Sequence, residues 1–293
     1  MSETPLFLGR QASQEDAKFW VLSAPLDETA DLQKGQAAAP PAILTASLYV
    51  EPYDEEVASA PTETAPVHTV EGSATSIEAI QEAAETALDA NAVPVILGGE
   101  PAVSLGGIRA LSEKAEDFTI LHVTSRAHLR PLPEQGPGQA IEPSNAVMRA
   151  ALACENLGKI VQVGVRSVSA EESEVIFGDE SRIETFFACD LAKRSDEDWH
   201  EDLVQELSTP VYLSVDLSGL DRSVVPSVGS PEPGGLGWWE LLRLLKKVTA
   251  RRRVAAFDVV DLIPIEGDMN GDFAAARLAH KIMAYLVASG KML

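Results

Sequence analysis

The feature that most constrains this chain is an alternation that runs from one end to the other. Short, unbroken apolar runs rich in β-branched residues are separated by stretches with helical periodicity. The runs at 19–23, 47–50, 94–97, 118–123, 160–165, 186–188, 211–217 and 254–262 predict strands. Because most of them are continuous and do not alternate with polar residues, they predict strands buried on both faces. Helices are predicted at 76–90, 102–114, 145–156, 170–176, 238–249 and 273–288, with a shorter pattern at 201–207. The first of these carries Ile77, Ile80, Ala84, Ala87 and Leu88 on one stripe, behind a Thr75-x-x-Glu78 capping pattern. Strand followed by helix, repeated, implies an α/β fold: three layers, a mainly parallel sheet of about eight strands with helices on both faces. No linker-like segment divides the chain, and the Ala/Pro-rich stretch 37–41 runs straight into apolar sequence, so one domain over 1–293 is expected.

Charge narrows the function classes. Acidic residues number 45 against 23 basic ones, a formal charge of −22. Such a surface repels nucleic acid and anionic membranes. The clusters Asp54-Glu55-Glu56, Glu171-Glu172 and Asp196-Glu197-Asp198 read as solvated faces. Adaptation to high salt, which screens self-repulsion, is the alternative source of the acidity. No apolar run reaches the roughly 18 residues of a membrane span. The N-terminus lacks a basic segment followed by an apolar one, and two cysteines, Cys154 and Cys189, suit a reducing compartment as small buried residues. A cytoplasmic location is the expectation.

Motifs then appear in a recognisable order. Gly35-Gln36-Ala37 precedes Pro40-Pro41-Ala42-Ile43, and Leu97-Gly98-Gly99-Glu100-Pro101 follows a strand. Further on come Val161-Gln162-Val163-Gly164-Val165-Arg166-Ser167, Ser214-Val215-Asp216-Leu217-Ser218, Ser230-Pro231-Glu232-Pro233-Gly234-Gly235-Leu236 and Phe257-Asp258-Val259-Val260-Asp261. In this order and over most of the chain they resemble the ureohydrolases of the arginase/agmatinase family, the Pro-Glu-Pro-Gly-Gly-Leu block being typical of the agmatinase branch.

The resemblance implies hydrolysis of guanidino groups by two manganese ions, held by a "GGDH" histidine, by both Asp and the His of "DAHxD", and by both Asp of "SxDxD". Two hard cations so close need several carboxylates. Here the "GGDH" histidine is Pro101. Aligned without a gap, "DAHxD" becomes Thr124-Ser125-Arg126-Ala127-His128; a gapped alignment keeps Ala127-His128 but turns both Asp into Arg126 and Arg130. In "SxDxD", Asp216 remains and the second Asp is Ser218. The family's guanidinium-binding Glu aligns with Asp261, and a loop histidine with Pro143 in Ile141-Glu142-Pro143-Ser144.

Counting family ligand positions therefore predicts no manganese, no catalytic residues and a vestigial pocket of Arg126, His128, Asp216, Ser218 and Asp261. Arg126 is expected to pair with Asp216 in place of the metals. The leading expectation is an inactive family member serving as a structural or regulatory subunit. It would assemble as a trimer or hexamer, or with an active paralogue. The alternatives are a metal-dependent hydrolase of agmatine-like compounds with substituted ligands, a metal-free reaction using Arg126, His128, Asp216 and Asp261, or a small-ligand binding module. His122 reads as a satisfied core residue, Asp258 as a strand residue, and His68, His200 and His280 as surface positions. Trp238-Trp239 is expected to pack in the core or between subunits, and Arg251-Arg252-Arg253 to form a solvated turn.

Overall fold

The computed structural model describes residues 5–132, 143–194 and 198–292. The N-terminal 1–4, Ile141-Glu142 and Asp196-Glu197 lie outside the described residues. The strands are β1 (Phe19–Ala24), β2 (Val67–Thr69), β3 (Val93–Gly98), β4 (Phe118–Val123), β5 (Leu157–Val165), β6 (Ile183–Phe187), β7 (Val211–Asp216) and β8 (Val254–Val260). They form one sheet in the order β2-β1-β3-β8-β7-β4-β5-β6, and each pairing is parallel. The helices are α1 (Ala39–Ser47), α2 (Pro61–Thr64), α3 (Ile77–Asp89), α4 (Ser104–Lys114), α5 (Val147–Ala151), α6 (Ala170–Ile176), α7 (Ala188–Leu191), α8 (Trp199–Gln205), α9 (Trp238–Arg251) and α10 (Asn270–Ser289).

Side-chain alternation divides the core between the two faces. On β4, Leu121 and Val123 join Ile43 of α1, Leu203 of α8, Leu244 of α9 and Leu278 of α10 in one apolar cluster. Phe118 and Ile120 face the other way, toward Ile80 of α3, Ile108 of α4 and Met148 of α5. Every residue of β1, β3, β4, β7 and β8 is buried, as the unbroken apolar runs predict. Burying each Leu, Ile or Phe contributes about 1.5–3 kcal/mol, so the strand runs dominate the stability of this arrangement.

Several local expectations are corrected. Residues 47–50 are not a strand: they end α1 and turn away from it. The Pro40-Pro41 pair occupies that helix's first turn, where a missing N–H costs nothing. Strand β2 went unpredicted because three residues carry too little pattern. The cap of α3 is Ser76, whose hydroxyl accepts from Ala79 N at 3.1 Å, and not Thr75. The predicted helix at 145–156 is the shorter α5. His68, His200 and His280 are buried, Cys154 is half-buried and Cys189 is exposed. Trp239 is exposed. Arg252 is not simply solvated, since it donates to the carbonyls of Val204 and Leu207 at the end of α8.

Asp54-Glu55-Glu56 is no solvated face either. Lys281 of α10, 1% exposed, lies 2.9 Å from the buried Asp54, 2.8 Å from Glu55 and 3.0 Å from Glu56. Tyr285 donates to Glu56 beside it. Burial pulls the Lys281 ammonium down, but its hydrogen bonds to Glu55, Asp54 and Glu56 outweigh this and hold it above the ordinary lysine value. No helix among the described residues is long and apolar enough to cross a membrane.

Candidate functional site

The residues of chemical interest gather where parallel strands end, at the carboxyl edge of β3, β8, β7 and β4, the edge at which open α/β sheets present their ligand crevices. Asp216 is the last residue of β7. Its Oδ1 accepts from Ser218 N at 2.8 Å. Its Oδ2 stands 3.1 Å from both Thr124 Oγ1 and His128 Nε2. Burial pushes this carboxyl up, yet the bond and charge of His128, helped by Ser218, bring it below the ordinary aspartate value. His128 reaches Asp216 from five residues past the end of β4.

His128 is buried and holds a left-handed backbone at φ 54°. Its Nδ1 donates to the Ser144 carbonyl at 2.6 Å, which fixes the ring. Its neighbour His122, on β4, has its ring centroid 5.5 Å away. Burial drives the His122 imidazole down to about 3, the charge of His128 adding to the effect and Asp216 opposing it, so this ring is neutral near pH 7. Gln162, in register on β5, places its amide nitrogen 3.1 Å from His122 Nδ1 and 2.8 Å from the Ala127 carbonyl. With that amide donating to Nδ1, the ring proton sits on Nε2. Coordination through Nε2 calls for the amide to turn over so that its oxygen accepts Nδ1–H.

Potential ligand atoms of His122, His128 and Asp216 all lie within 4.8 Å of one another. Two imidazoles and a carboxylate suit a divalent cation. Two donors on adjacent corners of one ion, each about 2.1 Å from it, sit about 3 Å apart, and His128 Nε2 and Asp216 Oδ2 meet that spacing at 3.1 Å. Both nitrogens of His128 also face oxygen acceptors, so a cation between Nε2 and Asp216 would take the place of a proton. These residues fit one ion. Pro101, Thr124, Arg126 and Ser218 supply no carboxylate or imidazole for a second.

Asp261 follows β8 at φ 72°, held by its own N–H to the Gly99 carbonyl at 2.8 Å. Gln36 Nε2 and Ser230 N donate to its carboxyl at 3.3 and 3.1 Å. Burial, then the charge of Asp216, hold this carboxyl well above the ordinary aspartate value. Two glycines permit the approach. A Cβ on Gly229 would stand 2.2 Å from Asp261 Oδ1, and one on Gly99 would stand 2.0 Å from the Leu26 carbonyl. Ser218 completes the floor, its Oγ accepting from Ser125 Oγ at 2.8 Å.

Arg126 does not pair with Asp216. Its backbone bridges to Ser167 beyond the sheet edge, and its side chain, 25% exposed, extends to the mouth of the cleft. There it lies 3.6 Å from Asp31 and 3.6 Å from Glu232. The side chain that meets Asp216 is His128. Sequence reasoning also passed over two supports. Glu100, buried, accepts from the N–H groups of Glu28 and Thr29 at 3.2 and 2.8 Å and so ties down the loop that carries Asp31. Arg166 donates to the carbonyls of Ser218, Glu232 and Pro233 at 2.7–2.8 Å, buckling the Pro-Glu-Pro segment to the floor. Pro143 caps the short turn before α5.

The arginase family model matches residues 17–287. The N(1)-aminopropylagmatine ureohydrolase of Synechocystis is 30% identical over 288 residues, covering 93% of this chain and 90% of its own. The agmatine ureohydrolase of Thermoplasma volcanium superposes with a TM-score of 0.83 at 26% identity, over 99% of this chain and 97% of that one. A Trypanosoma cruzi formiminoglutamase solved with manganese gives 0.83 at 17% identity, over 97% and 99%. The two relatives named as ureohydrolases, together with the His122–His128–Asp216 group, overturn two expectations: an inactive subunit and a chain without a metal cofactor. Both followed from counting family ligand positions, which overlooks His122, supplied by the strand itself, and its convergence with His128 on Asp216. The chain belongs to the arginase family.

Proposed function

We propose that this chain is a metal-dependent C–N hydrolase of agmatine-like guanidino compounds, working with substituted ligands. The observation that carries the reading is the buried His122–His128–Asp216 group at the strand edge, whose His128 lines a cleft together with Asp261. The relatives' names supply the substrate class. Bound there, a divalent cation supplies Lewis acidity and eases deprotonation of water near neutral pH. The protein's own groups do the remainder. Ser144, through Nδ1, orients His128; Ser218 N and Thr124 orient the Asp216 carboxylate. Asp261, fixed by Gln36 and Ser230, faces the cleft where a guanidinium carbon must lie to be attacked. A guanidinium seated beside Asp216 and Asp261 offsets the repulsion between two buried carboxyls, which favours a cationic over a neutral substrate.

Manganese-loaded protein given agmatine or aminopropylagmatine is expected to release urea, with the rate falling to background after chelation and returning on re-addition of manganese. Failure to release urea from either compound at saturating manganese would sink the reading.

A further inference from the structure

Arg126 enters none of the steps above, yet it stands in the substrate's path. It lines the cleft that reaches His128 and Asp261. It also lines an adjoining lobe with Arg130, Asn145 and Glu172. Its guanidinium spans Asp31, from the loop before α1, and Glu232, from the Pro-Glu-Pro segment, at 3.6 Å each. Neither contact is within hydrogen-bonding distance, and Nε is buried without a partner among the described residues. A guanidinium able to make several hydrogen bonds thus makes none among the described residues, between two carboxylates that face one cation.

Resting on the reading of the chain as a hydrolase of guanidino compounds, we infer that Arg126 is a specificity-determining residue: an internal cation holding the subsite that receives the far ammonium of a dicationic substrate. A linear guanidinoalkylamine with its guanidinium at Asp261 runs its chain out past Asp31 and Arg126, and so toward Glu232. Its ammonium then exchanges for Arg126, one cation replacing another on the same carboxylates, and Arg126 moves into the adjoining lobe. The exchange costs affinity for dications and spares monocations, whose tails carry no charge to compete.

The experiment is calorimetric binding of agmatine, a dication, and of propylguanidine, a monocation, to the full chain in the presence of a chelator at fixed ionic strength. Arg126→Gln, whose long contacts predict an unchanged melting temperature, is expected to bind agmatine up to about fivefold more tightly, the scale of one partly exposed ion pair, with propylguanidine little changed. Arg126→Gln combined with Glu232→Gln is expected to lose that gain. Arg130→Gln removes the same charge from the neighbouring lobe and is expected to shift agmatine far less. An equal gain for both ligands, an equal gain in Arg130→Gln, or no binding of agmatine to any of the proteins would overturn the inference. Urea release by the manganese-loaded wild type, with agmatine affinity unmoved by Arg126→Gln, would overturn the inference alone and leave the proposed function standing.

Discussion

Asp216→Asn is expected to lower manganese affinity by more than about 100-fold, since losing even an outer partner of a ligand costs about 10–100-fold, and to bring urea release to background. The carboxylate accepts from Ser218 N through Oδ1 and from His128 Nε2 and Thr124 Oγ1 through Oδ2. An amide has one acceptor oxygen. If that oxygen stays with His128 and Thr124, the NH2 is driven against the Ser218 N–H; if it stays with Ser218, Thr124 loses its acceptor. Charge is lost as well, and with it the anion that draws a cation between two imidazoles. His128→Ala is expected to act in the same direction. Ser218→Ala, which removes only a hydroxyl bonded to Ser125, is expected to cost far less. The comparison is made by manganese titration and urea assay on variants whose melting matches the parent. Equal affinity in Asp216→Asn and wild type would remove Asp216 from the ligand set.

Lys281→Met is expected to destabilise the fold by about 3–5 kcal/mol, the cost of breaking a buried ion pair from one side. Lys281 and Asp54 are both buried, 2.9 Å apart, with Glu55 and Glu56 completing the cluster. Methionine fills the volume and leaves Asp54 facing no cation. Urea unfolding should show a lower midpoint with an unchanged slope. The pH dependence follows from the raised pKa of Lys281. A cation whose folded pKa lies above its unfolded value of about 10.4 contributes its full stabilisation below that value and loses it as pH rises through the folded one. Wild type and Lys281→Met should therefore differ most near neutral pH and converge at strongly alkaline pH. A midpoint within the error of wild type at pH 7 would show that solvent reaches the cluster.

What the sequence made legible follows physical lines. The strands of the sheet's centre stood out because burial on both faces demands apolar residues at every position, as in Phe118–Val123 and Val211–Asp216. The edge strand Val67–Thr69 is too short for a pattern, and the Pro40-Pro41 pair reads as a breaker unless placed in a helix's first turn. The site was half legible. Asp216, His128, Ser218 and Asp261 do come together, because motif spacing fixes which backbone positions meet at the strand ends. Spacing does not fix the direction a side chain takes beyond the strand, and so Arg126 was assigned to Asp216 when its backbone path carries it to Asp31 and Glu232. His122 was read as core, which it is; its second property, a ring 5.5 Å from that of His128, depends on a left-handed residue at 128 that no pattern announces. Asp54-Glu55-Glu56 looked solvated because its partner Lys281 lies more than 200 residues away in sequence.

The central claim is that His122, His128 and Asp216 form a working metal centre. The measurement that meets it most directly is a manganese titration of the full chain, followed by electron paramagnetic resonance. One saturable equivalent per chain is expected, lost in His128→Ala and in Asp216→Asn. No saturable binding, or binding that both variants retain, would contradict it.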